Sequence, residues 1–156
     1  RLMSRGLGDV YKRQDKENGI TNFRKVVNIS STSGMFGNAG QINYATAKAG
    51  VVGMAKTMAK EWGRYNVNVN AVGFGLIKTR LTDSDAEKEE SLIDIEGNKI
   101  KVGVNSAVFQ SAKTMIPLGR PGTPQEAAGA IYMFCIPESN YVTGQILMCH
   151  GGGFGY

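Results

Sequence analysis

Cysteine and histidine are nearly missing from this chain. Of its 156 residues, two are cysteine (Cys135 and Cys149) and one is histidine (His150). Two cysteines without metal-ligand spacing exclude a disulfide-framed scaffold and a zinc ribbon. We read them as reduced core residues of a cytoplasmic protein. A single histidine leaves no Ser-His-Asp order for a hydrolase and no cluster of metal ligands. No metal is therefore expected. Long apolar runs are also lacking: none approaches the ~20 residues of a membrane span. The N-terminus has no apolar core of a secretory signal. Charge of one sign is scarce once it is placed. The net charge is +5, but residues 1–14 hold Arg1, Arg5, Lys12 and Arg13 against Asp9, so only +2 remains for the rest. That is no nucleic-acid footprint. No internal repeat occurs. A hydrophobic content of 42% with 20% charged residues reads as one soluble globular domain at most.

What the chain does have is a block from Ser31 to Lys48. Lys25-Val-Val-Asn-Ile29 is a short apolar strand, and a glycine-rich loop over 34–40 follows it. Gln41–Tyr65 then reads as a helix of about six turns, with Tyr44 and Lys48 near its start. Four residues is about one helical turn, so both side chains share a face. An ammonium beside a phenol favours the phenolate. A tyrosine that ordinarily titrates near pH ~10 can then give and take a proton near neutrality. Ser31 stands thirteen residues before Tyr44. Its hydroxyl could hydrogen-bond the substrate oxygen that Tyr44 protonates. The bland alternative is an ordinary surface pair at i,i+4.

This block resembles the short-chain dehydrogenase/reductase family, whose pattern is a strand, N-I-S-S, a glycine-containing loop and Y-x-x-x-K. Asn28-Ile29-Ser30-Ser31, the glycines at 34, 37 and 40, and Tyr44-Ala-Thr-Ala-Lys48 all match it. The resemblance implies an α/β fold with a Rossmann-type doubly wound parallel sheet. It also implies reversible hydride transfer between NAD or NADP and a carbonyl/alcohol substrate. In that scheme Ser31, Tyr44 and Lys48 are the catalytic residues. Lys48 and Tyr44 would also touch the cofactor, Lys48 at the nicotinamide ribose.

Further along, Asn66–Val72 alternates well enough for a second strand. The family has P-G-x-I-x-T after it, and here the chain reads Gly73-Phe-Gly-Leu-Ile-Lys-Thr79. The resemblance makes Gly75, Ile77 and Thr79 cofactor-binding, with backbone near Ile77 at the nicotinamide carboxamide. Phe74 stands where proline is usual, so φ is not pre-set there. Residues 80–117 correspond to the family's substrate lid. Thr82–Ser91 is read as a helix and Ala107–Met115 as another. Between them, Leu92–Val104 reads as a β-hairpin turning at Glu96–Lys99. A hairpin there points to an unusual substrate, or to an oligomer contact or surface insertion.

On the helix, Val51, Met54, Ala55, Met58 and Trp62 form one stripe that should be buried. Ala47, Gly50 and Ala55 would allow close helix contact, either with a second subunit, as the family implies, or with the chain's own sheet. Thr123-Pro-Gln-Glu126 is a capping box and opens a helix to about Phe134. A strand is expected at Ile146–Cys149. The runs I-P-L-G-R-x-G-T-P-x-E and Y-V-T-G-Q resemble the family's C-terminal third. His150 stands where the family often has Asp, and we assign it a structural role. Gly151–Tyr156 is expected at a subunit interface or a neighbouring active site.

Residues 1–14 fit nothing downstream and are read as a non-native leader similar to translated adapter sequence. Residues 15–156 would then be the C-terminal half of one domain, holding the last three strands of a seven-stranded parallel sheet. The family's glycine-rich pyrophosphate loop and its further catalytic Asn belong to the other half. We therefore expect the chain alone to be poorly stable and inactive. The expected partners are a small-molecule substrate, which could be an acyl thioester, and like subunits in a homo-oligomer. The competing reading is a non-catalytic dimerisation or nucleotide-sensing module.

Overall fold

The computed structural model describes residues 13–79, 92–95, 98–101, 111–112 and 114–153. In chain order they form β1 (Arg24–Ser31), α1 (Thr32–Phe36), α2 (Ile42–Trp62), β2 (Val67–Phe74), β3 (Leu92–Ile95), β4 (Asn98–Lys101), α3 (Pro124–Tyr132) and β5 (Ile146–Cys149). A helical turn over 13–17 precedes β1.

The sheet is parallel, with the order β1-β2-β5. β2 lies in the middle and is buried along nearly its whole length. A parallel strand covered on both faces should be apolar throughout, yet β2 carries Asn68 and Asn70. Both are buried and both donate from their amide nitrogens, while Asn68 Oδ1 is buried without a hydrogen-bond partner among the described residues. Asn68 Nδ2 donates to the Asn140 carbonyl at 2.9 Å, and Asn70 Nδ2 to that of Val142 at 2.9 Å. Asn70 Oδ1 accepts from the Gln145 amide at 2.9 Å. The alternation in NVNVNAV is therefore not an inside/outside pattern. The asparagines clamp the 140–145 segment that leads into β5.

Each face of the sheet has its own core. On one, Ala55 and Ala59 of α2 meet Val67, Val69 and Ala71, with Val26, Met58 and Trp62 around them. On the other, Val72 packs with Ala130 and Phe134, joined by Phe74, Ile131 and Leu147. Helices on both faces of a parallel sheet make the doubly wound α/β arrangement.

Several expectations change. Thr32–Phe36 is a short helix rather than loop, because the Ser31 side chain caps it. Of the α2 stripe, Met54 is exposed and Ala59 takes its place; Ala47 and Gly50 are exposed as well. Small alanines face the sheet, where a closely packed helix leaves little room. Cys135 is exposed, not core: α3 ends at Tyr132, and the turn after it carries residue 135 outward. Phe74 closes β2 with its ring in the second core, so that packing, not a fixed φ, holds the position.

The hairpin is present, with antiparallel β3 and β4 and Ile93 opposite Ile100. Ile95 pairs with Asn98, so Asn98 and Lys99 of the expected turn belong to β4, while 96 and 97 lie outside the described residues. Thr82–Ser91, Val102 and Val104 lie outside the described residues, as do 107–110 of the second expected lid helix; 111–115 is helical where described.

Candidate functional site

Ligands in open parallel sheets bind beyond the carboxyl ends of the strands. Ser31 ends β1, Phe74 ends β2 in register with it, and Cys149 ends β5. Ser31, Tyr44 and Gly75 therefore gather at one edge, around Lys48.

Three contacts seat Lys48 there. Its ammonium donates to the Ile29 carbonyl at 3.2 Å. Its own carbonyl accepts from the Ser30 hydroxyl at 2.8 Å. Gly34 lies flat against its backbone: a Cβ on residue 34 would stand 2.6 Å from the Lys48 carbonyl carbon. Only glycine fits that approach. Lys48 Nζ then lies 5.7 Å from the centroid of the Tyr44 ring, a cation–π distance. Tyr44 is 43% exposed, so its phenol opens to solvent.

Ser31 is buried, 8% exposed, and its Oγ accepts from the Ser33 amide at 3.2 Å. That bond fixes the rotamer and leaves the hydroxyl proton to be donated elsewhere. Ser33 donates in turn to Gln41 Oε1 at 3.1 Å, which also accepts from Asn38 at 3.0 Å. The start of α2, and with it Tyr44, is thereby tied to the end of β1. Gly75 approaches from β2: a Cβ there would lie 3.7 Å from Thr32 Cγ2 and 2.7 Å from His150 Cβ.

Ile77 turns from this cluster to another segment. Ile77 pairs with Gly122 as an isolated parallel bridge, in which the Lys78 amide donates to the Gly122 carbonyl at 2.8 Å and the Gly122 amide to that of Leu76 at 2.9 Å. A small cleft of about 130 Å³ opens beside them, lined by Ile77, Leu118, Arg120, Glu126 and His150 among others. A larger one of about 310 Å³, lined by Asp15, Arg64 and Asn66, lies at the amino end of the strands, away from Ser31 and Tyr44.

His150 Nδ1 accepts from the Gly152 amide at 3.0 Å, a contact within the turn after β5. Gly151–Gly153 packs against 115–118, while 154–156 lies outside the described residues. Burial pushes the Cys149 thiol up, with the negative charge of Glu126 adding to it. Among the described residues no group of three or more His, Cys, Asp or Glu could hold a metal ion, and no helix is long and apolar enough to cross a membrane.

Sequence reasoning missed Ser30 and Gln41. The double serine after the strand was a signal for the first. It could not say which hydroxyl turns toward the helix and which toward the site.

A family model described as Enoyl-(Acyl carrier protein) reductase matches residues 9–153. The chain is 42% identical over 127 residues to a 3-oxoacyl-[acyl-carrier-protein] reductase of Thermotoga maritima, covering 81% of this chain and 44% of that protein. It is 37% identical over 128 residues to a short-chain reductase of Streptomyces niveus, covering 82% and 44%. Among solved structures, a short chain dehydrogenase from Bacillus anthracis matches with a TM-score of 0.67 at 31% identity, over 93% of this chain and 49% of that one. A 4-hydroxyisoleucine dehydrogenase mutant complexed with NADH and succinate matches with a TM-score of 0.69 at 25% identity, over 94% and 52%. The chain thus spans about half the length of the proteins it matches.

Proposed function

The chain belongs to the short-chain dehydrogenase/reductase family, and on that premise we propose that it carries the catalytic half of an NAD(P)-dependent oxidoreductase acting on a carbonyl/alcohol substrate. The observation that carries the reading is the seat of Lys48. The Ile29 carbonyl holds its ammonium, and the Ser30 and Gly34 contacts its backbone, so that it lies beside the Tyr44 ring at the carboxyl edge of the sheet.

The residues present fit a nicotinamide and its ribose. Lys48 and Tyr44 offer donors to ribose hydroxyls, and the backbone near Ile77 would meet a carboxamide. Bound there, a nicotinamide supplies or takes the hydride. The chain supplies the rest. Ser31 donates its hydroxyl proton to the substrate oxygen, holding and polarising it. In reduction Tyr44 gives its phenolic proton to that oxygen; in oxidation it takes the proton back. Lys48 sets positive charge beside the phenol during the transfer. Gly75, Ile77 and Thr79 are the further residues that would hold the cofactor.

The reductase relatives favour a 3-oxoacyl thioester as substrate. The exposed small residues Ala47 and Gly50 on α2 favour assembly of like subunits, and the scarcity of cysteine favours the cytoplasm. By itself the chain is expected to be inactive.

A chimaera tests this. The amino-terminal half of the Thermotoga maritima reductase is joined ahead of Asp15 and assayed with NADPH and a 3-oxoacyl thioester. Turnover that Tyr44→Phe cuts by roughly a thousandfold, with the circular dichroism spectrum unchanged, is the expected result. Equal rates with and without the phenolic hydroxyl would defeat the proposal. A folded chimaera that neither turns over nor binds NADPH would favour a non-catalytic module.

A further inference from the structure

After β2 the Gly75 amide still donates to the Cys149 carbonyl at 3.0 Å, and Ile77 then pairs with Gly122 in the parallel bridge. The two hydrogen bonds of that bridge set where Leu76–Lys78 lies. Gly122 in turn sits between two residues that the same carboxylate grips. Arg120 Nη2 donates to Glu126 Oε1 at 2.6 Å and Arg120 Nη1 to Oε2 at 2.8 Å. The Thr123 amide and hydroxyl donate to Oε2 at 2.8 and 3.1 Å.

The capping box of α3 needs only the Thr123–Glu126 half of this set. The Arg120 fork is additional. It spans Pro121 and Gly122 and closes them into a ring through Glu126, while Arg120 Nη1 also donates to the Pro121 carbonyl at 3.1 Å. Two-point Arg–carboxylate contact is the geometry that fixes direction as well as distance. Ile77 closes the arrangement from above. A Cβ on residue 122 would stand 2.7 Å from Ile77 Cδ1, so the side chain rests on the glycine that its own backbone pairs with.

We propose that the Arg120–Glu126 pair positions the Leu76–Lys78 backbone, with Gly122 as the link. What that backbone then holds, the carboxamide end of a nicotinamide, rests on the oxidoreductase reading above. Neither Arg120 nor Glu126 need touch cofactor or substrate. Their effect passes through the two amide hydrogen bonds of the bridge.

Amide hydrogen exchange on the full chain tests it. Arg120→Ala leaves the capping box in place and removes the fork. Exchange at Gly122 and Lys78 should quicken by about tenfold, while Ala127 in the first turn of α3 and Val72 in β2 stay as they were. Glu126→Ala, which also removes the capping box, should free Gly122, Lys78 and Ala127 together. If Arg120→Ala moves Ala127 or Val72 as much as Lys78, the pair merely stabilises the fold and the proposal fails. It fails too if Arg120→Ala moves none of them.

A second arm repeats the measurement in the chimaera with NADH. NADH should slow exchange at Lys78, and less so after Arg120→Ala. Equal slowing in both proteins would overturn the link to the cofactor. No slowing in either would count against the oxidoreductase reading, leaving the positioning role to be decided by the first arm.

Discussion

Gly34 and Lys48 touch backbone to backbone, and the contact joins α1 to the second turn of α2. Both atoms nearest an added Cβ, the Lys48 carbonyl carbon at 2.6 Å and the Ala49 amide nitrogen at 2.7 Å, are main chain. Neither can rotate away. Gly34→Ala must push α2 off the sheet and loosen the Ser30–Lys48 hydrogen bond. Overpacking of this kind costs about 1–3 kcal/mol. Denaturant unfolding should show that loss; a variant as stable as the parent would mean that the helix end moves freely.

Asn70 makes a second test of the core. It is 1% exposed and ties both ends of the 142–145 segment. Asn70→Ala leaves the part-buried Gln145 amide and Val142 carbonyl without this partner and empties the buried space of the side chain. A loss of about 2–4 kcal/mol is expected. A change within about 0.5 kcal/mol, the range of ordinary surface substitutions, would show that the segment rearranges at little cost.

Glu126 carries a pH dependence of definite sign. Hydrogen bonding from Arg120, and then from the Thr123 amide and hydroxyl, holds its carboxyl at about 2, well below the ordinary 4.5. A carboxyl depressed by folding adds stability above its unfolded pKa and loses it as pH falls through the folded one. The contribution should therefore be complete above about 4.5 and fade toward about 2. A nuclear magnetic resonance titration of the Glu126 side chain should give a low midpoint that climbs in concentrated salt, because the pair is half exposed. A midpoint at the ordinary value in dilute buffer would deny the ion pair in solution.

The edge of β1 bears on association. Among the described residues β1 pairs only with β2, and Ile29 and Phe23 are 42% and 45% exposed. An open edge with exposed apolar side chains recruits other chains. Ile29→Lys should lower the light scattering of the concentrated chain. Scattering that stays the same would place the sticky surface elsewhere.

The amino-acid sequence alone determined the strands, the long helix and the capping box, because each rests on neighbours within a few residues. Val26, Val27 and Ile29 prefer extended chain whatever surrounds them, and Thr123 and Glu126 find each other across one helical turn. Tyr44 and Lys48 were legible for the same reason: a helix puts i and i+4 on one face. Only the tertiary structure decided which surfaces those elements bury. That Asn68 and Asn70 point into a covered face, that Met54 turns outward and Ala59 inward, and that Cys135 is exposed all depend on what packs across from them. It also decided that Gly122, forty-five residues from Ile77, holds the loop after β2. A contact between segments so far apart leaves no period in the sequence, since it is made by backbone groups that every residue carries.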